Sequence, residues 1–354
     1  MSQQASQTQP RVTIIIVPRE SFGYTQESLE SLYRDTRYPF ELIYIDGGSP
    51  PSVRRYLEEQ SAARSFELIR THHFISPNKA RNLGLSRAEG EYVVIADNDI
   101  IFQPGWLGRL VECAEQTGAA IVGPLSCIGH PLHENIHNGG GRTSIGKSAN
   151  GASPSKIEQQ TFLAGRKVSS LNDDELARFR CDYVEFHTVL VRRSLFDEIG
   201  PLDERLLSTR EHIDMCLLAG KLGESIYCER RSITTYVPGV TLKLSDVAYF
   251  MLRWSDAWDL ASLAHFQQKW GLREDEYFYK RYKKLGKRRQ RAIIAPVVNK
   301  LTFGREAATN ILKAVELRVQ RGISEIYGRK HPYARHSVGL TRGQKLARRG
   351  GNAR

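Results

Sequence analysis

From Val12 to Val122 the chain alternates short apolar runs with amphipathic stretches, and this alternation leaves few architectures open. Val12 to Val17 is rich in β-branched residues, and Thr25 to Arg34 carries Leu29 and Leu32 at helical spacing. Glu41 to Asp46 reads as a second strand, running into Gly47-Gly48-Ser49-Pro50-Pro51. Ser52 to Gln60 reads as a helix, Phe66 to Arg70 as a short strand, and Asn78 to Ala88 as a helix behind Pro77. Tyr92 to Ala96 is an apolar strand ending in Asp97-Asn98-Asp99, then a helix covers Trp106 to Gln116 and a strand Ala119 to Val122. Strands that alternate with helices in this way predict an α/β protein with a mainly parallel sheet covered on both faces. Ligands of such sheets bind beyond the carboxyl ends of the strands.

The second half is less regular. Ile128 to Lys156 is rich in Gly, Asn, His and Ser, includes Gly139-Gly140-Gly141, and is too long for a simple turn, so a functional loop or small hairpin is expected. A helix is expected over Asp173 to Phe179, a strand over Val184 to Val191, and a short helix over Ser194 to Ile199, closed by Gly200-Pro201. A helix from Arg210 to Ala219 and a strand from Ser225 to Thr235 follow, then one long aromatic-rich helix from Leu244 to Lys269. A cluster of Lys and Arg spans Lys280 to Arg291, ahead of an amphipathic helix over Arg305 to Arg321. The polar Met1 to Pro10 and the Gly- and Arg-rich end from His331 read as disordered.

Composition narrows the function classes. The 354 residues are 40% hydrophobic and 25% charged, as in ordinary globular proteins. Five cysteines with no CxxC or Cys/His spacing read as reduced, buried thiols and not as a zinc site, which favours a cytoplasmic setting. The start lacks a basic segment followed by an apolar run, and no stretch reaches the ~18 apolar residues of a membrane span. From Leu272 onward 22 Lys and Arg stand against 6 Asp and Glu, a surplus larger than the whole chain's +12, so the residues before it are net acidic. A basic C-terminal region favours anionic partners, whereas the acidic front does not suit nucleic acid.

Asp97-Asn98-Asp99 is the most informative chemistry. Two carboxylates at i and i+2 past a buried strand can bind a hard divalent cation, which combines one or two carboxylates with phosphate oxygens. By itself the segment also reads as an Asx turn. Its neighbours resolve the matter. Val12-Thr13-Ile14-Ile15-Ile16-Val17-Pro18, Ile45-Asp46-Gly47-Gly48-Ser49, Asn78-Lys79-Ala80-Arg81-Asn82-Leu83-Gly84-Leu85, Ala88-Glu89-Gly90-Glu91-Tyr92 and Val93 to Asp99 occur in order. Together they resemble the family 2 glycosyltransferases over residues 12 to 237.

The resemblance implies a Rossmann-like GT-A domain over residues 11–240, followed by a helical extension over 241–330 and a basic tail over 331–354. It also implies inverting transfer of a sugar from a nucleotide-diphosphate donor to an acceptor hydroxyl. Asp97 and Asp99 would hold Mg²⁺ or Mn²⁺. Pro18, Asp46, Gly48, Arg81, Asp97 and Asn98 would line the donor site. Asp46 can accept from a pyrimidine N–H, which favours a uridine or thymidine nucleotide, and Arg81 can grip phosphate or a base edge. Gly47 stands where the family usually has a second Asp. The family's general base belongs to a Glu-Asp pair, which here reads Glu211-His212, with Asp214 matching a later Asp of the same motif. Glu211 is the first choice for the base, His212 the second, and Asp214 is expected to support them. Asp182, Glu185 and His187 are expected near the acceptor, although His187 also reads as a buried, satisfied histidine. The histidines 130, 133 and 137 lie in a loop without convincing metal spacing. Trp254, Trp258 and Trp270 read as core or as sugar-stacking platforms.

The acceptor would be a glycan, a lipid-linked sugar or another hydroxyl compound. The basic run Lys283 to Arg291 reads either as a solvated face or as a peripheral contact with the anionic inner face of a membrane. A nucleotidyltransferase would need a Gly-rich, basic loop where this chain has Pro18-Arg19-Glu20-Ser21. A degenerate transferase acting only as a glycan- or membrane-binding module is the rival from another class.

Overall fold

The structure is a computed structural model that describes residues 11–146, 155–238, 243–296, 310–312, 314–319 and 322. Expectations for Met1 to Pro10 and for the tail from His331 lie outside the described residues, as do 305–309, 313, 320 and 321 of the helix expected over Arg305 to Arg321; its described residues, 310–312 and 314–319, are helical.

Strands β1 (Val12–Val17), β2 (Glu41–Asp46), β3 (Glu67–Arg70) and β4 (Tyr92–Asp97) pair in parallel in the order β4-β1-β2-β3. Helices α1 (Thr25–Asp35), α2 (Pro51–Arg64) and α3 (Pro77–Leu85) connect them. Every residue of β1 and β4 is buried, because both faces of the sheet are covered. The two-residue period of a strand sorts the core into two layers. Ile14 and Ile16 pack with Leu29 and Leu32 of α1, while Ile15 and Val17 pack with Ala80 of α3 on the opposite face.

The sheet continues through β5 (Ile100–Phe102), β6 (Ile121–Ile128), β7 (Ile136–Asn138), β10 (Phe179–Cys181), β11 (Thr188–Arg192) and β12 (Ile226–Tyr236), with α4 (Trp106–Thr117) packed in the α1 layer. Here the pairing becomes mixed: β11 runs antiparallel to both β4 and β6, whereas β12 and β6 are parallel. Residues within Ile128 to Lys156 contribute the hairpin of β8 (Gly141–Gly146) and β9 (Lys156–Thr161), whose tip lies outside the described residues. Helices α5 (Leu195–Ile199) and α6 (Glu211–Lys221) precede β12.

Two expectations are corrected. Asp173 to Phe179 is not a helix. Asn172 Oδ1 accepts from the Glu175 N–H and Glu175 returns the contact to the Asn172 N–H, as in a capping box, but Phe179 to Cys181 then pairs with β12. The helix expected over Leu244 to Lys269 is two helices, α7 (Val247–Arg253) and α8 (Asp256–Lys269). Ser255 divides them, its hydroxyl accepting from the Trp258 N–H as the cap of α8.

Helices α9 (Glu276–Tyr282) and α10 (Lys287–Arg289) follow in the extension, then a π-helical turn over Gln290–Ile294 and helical residues at 310–312 and 314–319. The expected division after residue 240 falls outside the described residues, but beyond it the described part of the extension shares the core of the sheet. Leu263 and Phe266 of α8 and Phe278 and Tyr282 of α9 join the same apolar cluster as Ile15 and Val184.

Candidate active site

The carboxyl ends of β1, β2 and β4 lie side by side, with Val17 in register with Asp97. The Asn98 N–H donates to Val17 O and the Asp97 N–H to His187 O, so main-chain bonds hold the turn after β4. The two aspartates are served differently. Asp97 Oδ2 accepts from Arg19 at 2.9 Å and contacts His187 Nδ1 at 3.0 Å, while Arg81 lies 3.5 Å from Oδ1. Burial pushes the Asp97 carboxyl up, but Arg19 and His187 outweigh it and hold it at about 2. Asp99 is fully buried, and neither of its oxygens has a hydrogen-bond partner. Burial first, and the charge of Asp97 second, push it well above the ordinary carboxylate range.

Buried polar atoms without partners are uncommon and destabilising. Two orphaned carboxylate oxygens beside a second carboxylate fit a hard cation, which takes one or two carboxylates from protein and completes its shell with phosphate and water. Among the described residues no group of three His, Cys, Asp or Glu side chains forms a metal cluster, so the protein would not enclose the ion by itself.

The other donor-side residues gather at the same edge. Arg81, on α3, is 2% exposed; it donates to Asn78 Oδ1 and lies 4.6 Å over the Phe186 ring. Its Nε has no partner, and burial lowers its pKa. Asp46 ends β2, but both its oxygens are engaged: by the Ser49 N–H at 2.8 Å, by the Ser49 hydroxyl at 2.9 Å, and by Arg70. The glycines after it have different reasons. At Gly47 a Cβ would sit 2.7 Å from the Pro18 ring, so the second Asp of the family has no room here; Gly48 takes a φ of +83°. Asn98 faces structural partners, accepting from the Arg19 N–H and donating to Ser21 O and Thr25 Oγ1. It fastens the β1–α1 loop.

The candidate base lies across the cleft. Glu211 opens α6, is 6% exposed, and lies 3.7 Å from the Arg253 guanidinium. Arg253 also donates to Arg19 O and Ser208 O, so one buried cation ties the β1 loop, the start of α6 and α7 together. His212 Nε2 lies 3.6 Å from Glu185 and has no hydrogen-bond partner. Burial pushes its pKa down to about 4, which leaves it neutral near pH 7. Asp214 does not join them: its carboxylate accepts from Lys269 at 2.7 Å and from the Trp270 indole at 2.8 Å, fixing α6 to α8.

The secondary candidates divide similarly. His187 is a buried histidine stacked 4.4 Å from Tyr236, and it orients Asp97. His133 bonds Thr235, and Trp258 is core. Trp254 donates to Glu20 and carries the Arg253 and Arg288 guanidiniums over its ring, so it is not an open sugar platform. Sequence reasoning gave Arg19, Glu20, Arg253 and Arg288 no part in the active site, although it read Arg288 as part of a basic run. The available signal was charge embedded in apolar surroundings, as with Arg253 within Tyr249 to Trp254.

Residues 13–166 match the profile described as Glycosyl transferase family 2. The chain is 31% identical over 116 residues to an uncharacterized glycosyltransferase, EpsJ, of Bacillus subtilis (strain 168), covering 32% of this chain and 33% of that one. It is 30% identical over 232 residues to the O-antigen biosynthesis protein RfbC of Myxococcus xanthus, covering 62% of this chain and 16% of that one. The chain therefore spans a third or less of the length of these relatives. The crystal structure of GalNAc-T7 with UDP, GalNAc and Mn²⁺ superposes with a TM-score of 0.50 at 14% identity, over 83% of this chain and 58% of that one, which establishes likeness of fold. With the ordered motifs, the strand-end carboxylates and the mixed sheet in one structure, residues 13–166 are similar to glycosyl transferase family 2, and the chain has the fold of a GT-A glycosyltransferase.

Proposed function

We propose that the protein transfers a sugar, with inversion, from a nucleotide-diphosphate donor of the UDP type to an acceptor hydroxyl. The observation that carries the reading is Asp99, whose two buried and unpartnered oxygens lie beside Asp97 at the strand ends. Asp99, with Asp97, would hold Mg²⁺ or Mn²⁺, which when bound offsets the charge of a departing nucleoside diphosphate. Arg19 and His187 hold Asp97 ionised, and Arg81 adds positive charge on the donor side. Glu211 takes the acceptor proton, with Arg253 holding the carboxylate in place. A second base is favoured by one observation: His212 is neutral near pH 7 with an unpartnered Nε2, and Glu185 would stabilise its imidazolium.

The setting proposed is cytoplasmic, with an acceptor that is a glycan or a lipid-linked sugar. Among the described residues no helix is long and apolar enough to cross a membrane. Thermal-shift measurements on the full chain with UDP-, GDP- and TDP-sugars, with and without Mn²⁺, test the reading. A metal-dependent shift with a nucleotide sugar is expected, and Asp99→Ala should abolish it. Unchanged affinity in that variant would refute the assignment. Glu211→Gln and His212→Gln, assayed for turnover, separate the two bases.

A further inference from the structure

Beside the start of α6 lies a cavity of about 960 Å³, walled by β9, by the segment before α6 and by α9 and α10. Eight Lys and Arg line it against three acids. Two of those acids offset two of the cations and Glu20 offsets Arg288, but Arg210, Arg281, Lys284, Lys287 and Arg291 keep the lining basic. Glu158 pairs with Lys156, Glu276 pairs with Lys280, and Asp259 accepts from Ser208 and is pushed up by burial to about 6.

The inner wall is more specific than a basic surface. Arg210 and Arg281 both donate to one neutral acceptor, Gln159 Oε1, at 3.1 Å each. Both guanidiniums lie against Tyr277, Arg281 at 3.3 Å from the ring centre. Among the described residues neither meets a carboxylate within 4 Å, and Arg281 Nε is buried without a partner. Burial and the Arg210 charge together push Arg281 down to about 9. Two crowded cations sharing a neutral acceptor form an arrangement that an incoming anion stabilises, and a guanidinium fork suits phosphate oxygens. Arg210 holds a φ of +76°, a conformation rarely adopted without glycine, and is the residue immediately before Glu211. The anion site is therefore built onto the same turn as the proposed base.

We propose that this cavity receives the acceptor and that the acceptor bears phosphate, held by Arg210 and Arg281. This rests on the transferase reading for the word acceptor, but not for the phosphate site. The phosphate could belong to a lipid diphosphate or to a phosphodiester polymer, and the test separates them. Binding of farnesyl diphosphate and of a glycerol phosphate oligomer is measured on the full chain in EDTA by thermophoresis, with farnesol and maltotriose as uncharged controls. At least one phosphate probe is expected to bind, with the controls silent, and the probe that binds names the source. Arg281→Gln and Arg210→Gln should each weaken binding on the order of tenfold, the loss of one charge-assisted contact. Arg281→Lys should recover only part of it, since an ammonium keeps the charge but not the stacked fork, and Asp99→Asn should leave it unchanged. If Arg281→Gln fails to fold, Lys284→Gln, on the exposed rim, is expected to weaken binding about threefold.

The proposal is overturned if neither phosphate probe binds, if folded variants bind like the parent, or if Asp99→Asn also loses binding, which would place the phosphate at the donor site. Failure of metal-dependent nucleotide binding would instead sink the transferase reading and leave this result standing.

Discussion

Replacing Gly84 by Ala separates backbone propensity from packing. Gly84 lies in α3, three residues after Arg81, and its Cα faces β1. A Cβ there would sit 2.3 Å from Ile15 Cγ2 and 3.1 Å from Ile15 Cδ1 and Cγ1. Helix propensity alone favours Ala over Gly by about 1 kcal/mol. The contact opposes this, because Ile15 is fully buried and its branched carbon cannot swing aside. Overpacking costs about 1–3 kcal/mol, and a 2.3 Å approach belongs at the upper end of that range. The net expectation is a loss of roughly 1–2 kcal/mol. The helix must also back away from the sheet, which moves Arg81 relative to Asp97. Ile15→Ala alone should cost about 2–5 kcal/mol as a cavity. In the double variant the new methyl enters that cavity, so the pair should be less destabilised than the sum by about 1–3 kcal/mol. Urea unfolding of the four proteins gives the cycle. A neutral or stabilising Gly84→Ala, or strict additivity with Ile15→Ala, would refute the close approach of α3 to β1.

Asp214→Ala should lower stability by about 1–3 kcal/mol, since it strands the buried Trp270 N–H and takes from Lys269 one of its two carboxylate partners, leaving Asp203. Urea midpoints measure it, and lost turnover at unchanged stability would give Asp214 a direct part in the chemistry instead. Acid sensitivity should trace partly to Asp203. Burial pushes this carboxyl up, but hydrogen bonds from His265 and Lys269 outweigh it and pull it well below the ordinary value. A depressed folded-state pKa contributes stability that is complete above the ordinary carboxylate range and is lost as pH falls below it. Asp203→Asn should therefore flatten the decline in melting temperature on acidification while lowering stability near neutrality, and an unaltered acid limb would count against the contact.

The sequence by itself determined the layered architecture and the strand ends that carry chemistry. Apolar strands buried on both faces leave a local, nearly continuous signature, and the aspartates, Arg81 and Glu211 are placed by the same strands and helices that the pattern reveals. Periodicity could not show that β11 enters antiparallel, because orientation depends on how a distant segment returns to the sheet. It could not divide α7 from α8 either, since Ser255 is a cap only if its hydroxyl meets the Trp258 N–H.

The tertiary structure alone decided which carboxylates are spoken for. Asp97 and Asp99 stand two residues apart, yet one is held by Arg19 and His187 and the other has no partner. Asp214, one turn beyond Glu211, is consumed by Lys269 and Trp270 from α8 and its C-cap. Arg210 and Arg281 meet across 71 positions of chain on the single oxygen of Gln159. A residue's type and local pattern set what its side chain can do. Whether it is engaged, buried or left without a counter-charge depends on groups brought to it through space, to which no local pattern refers.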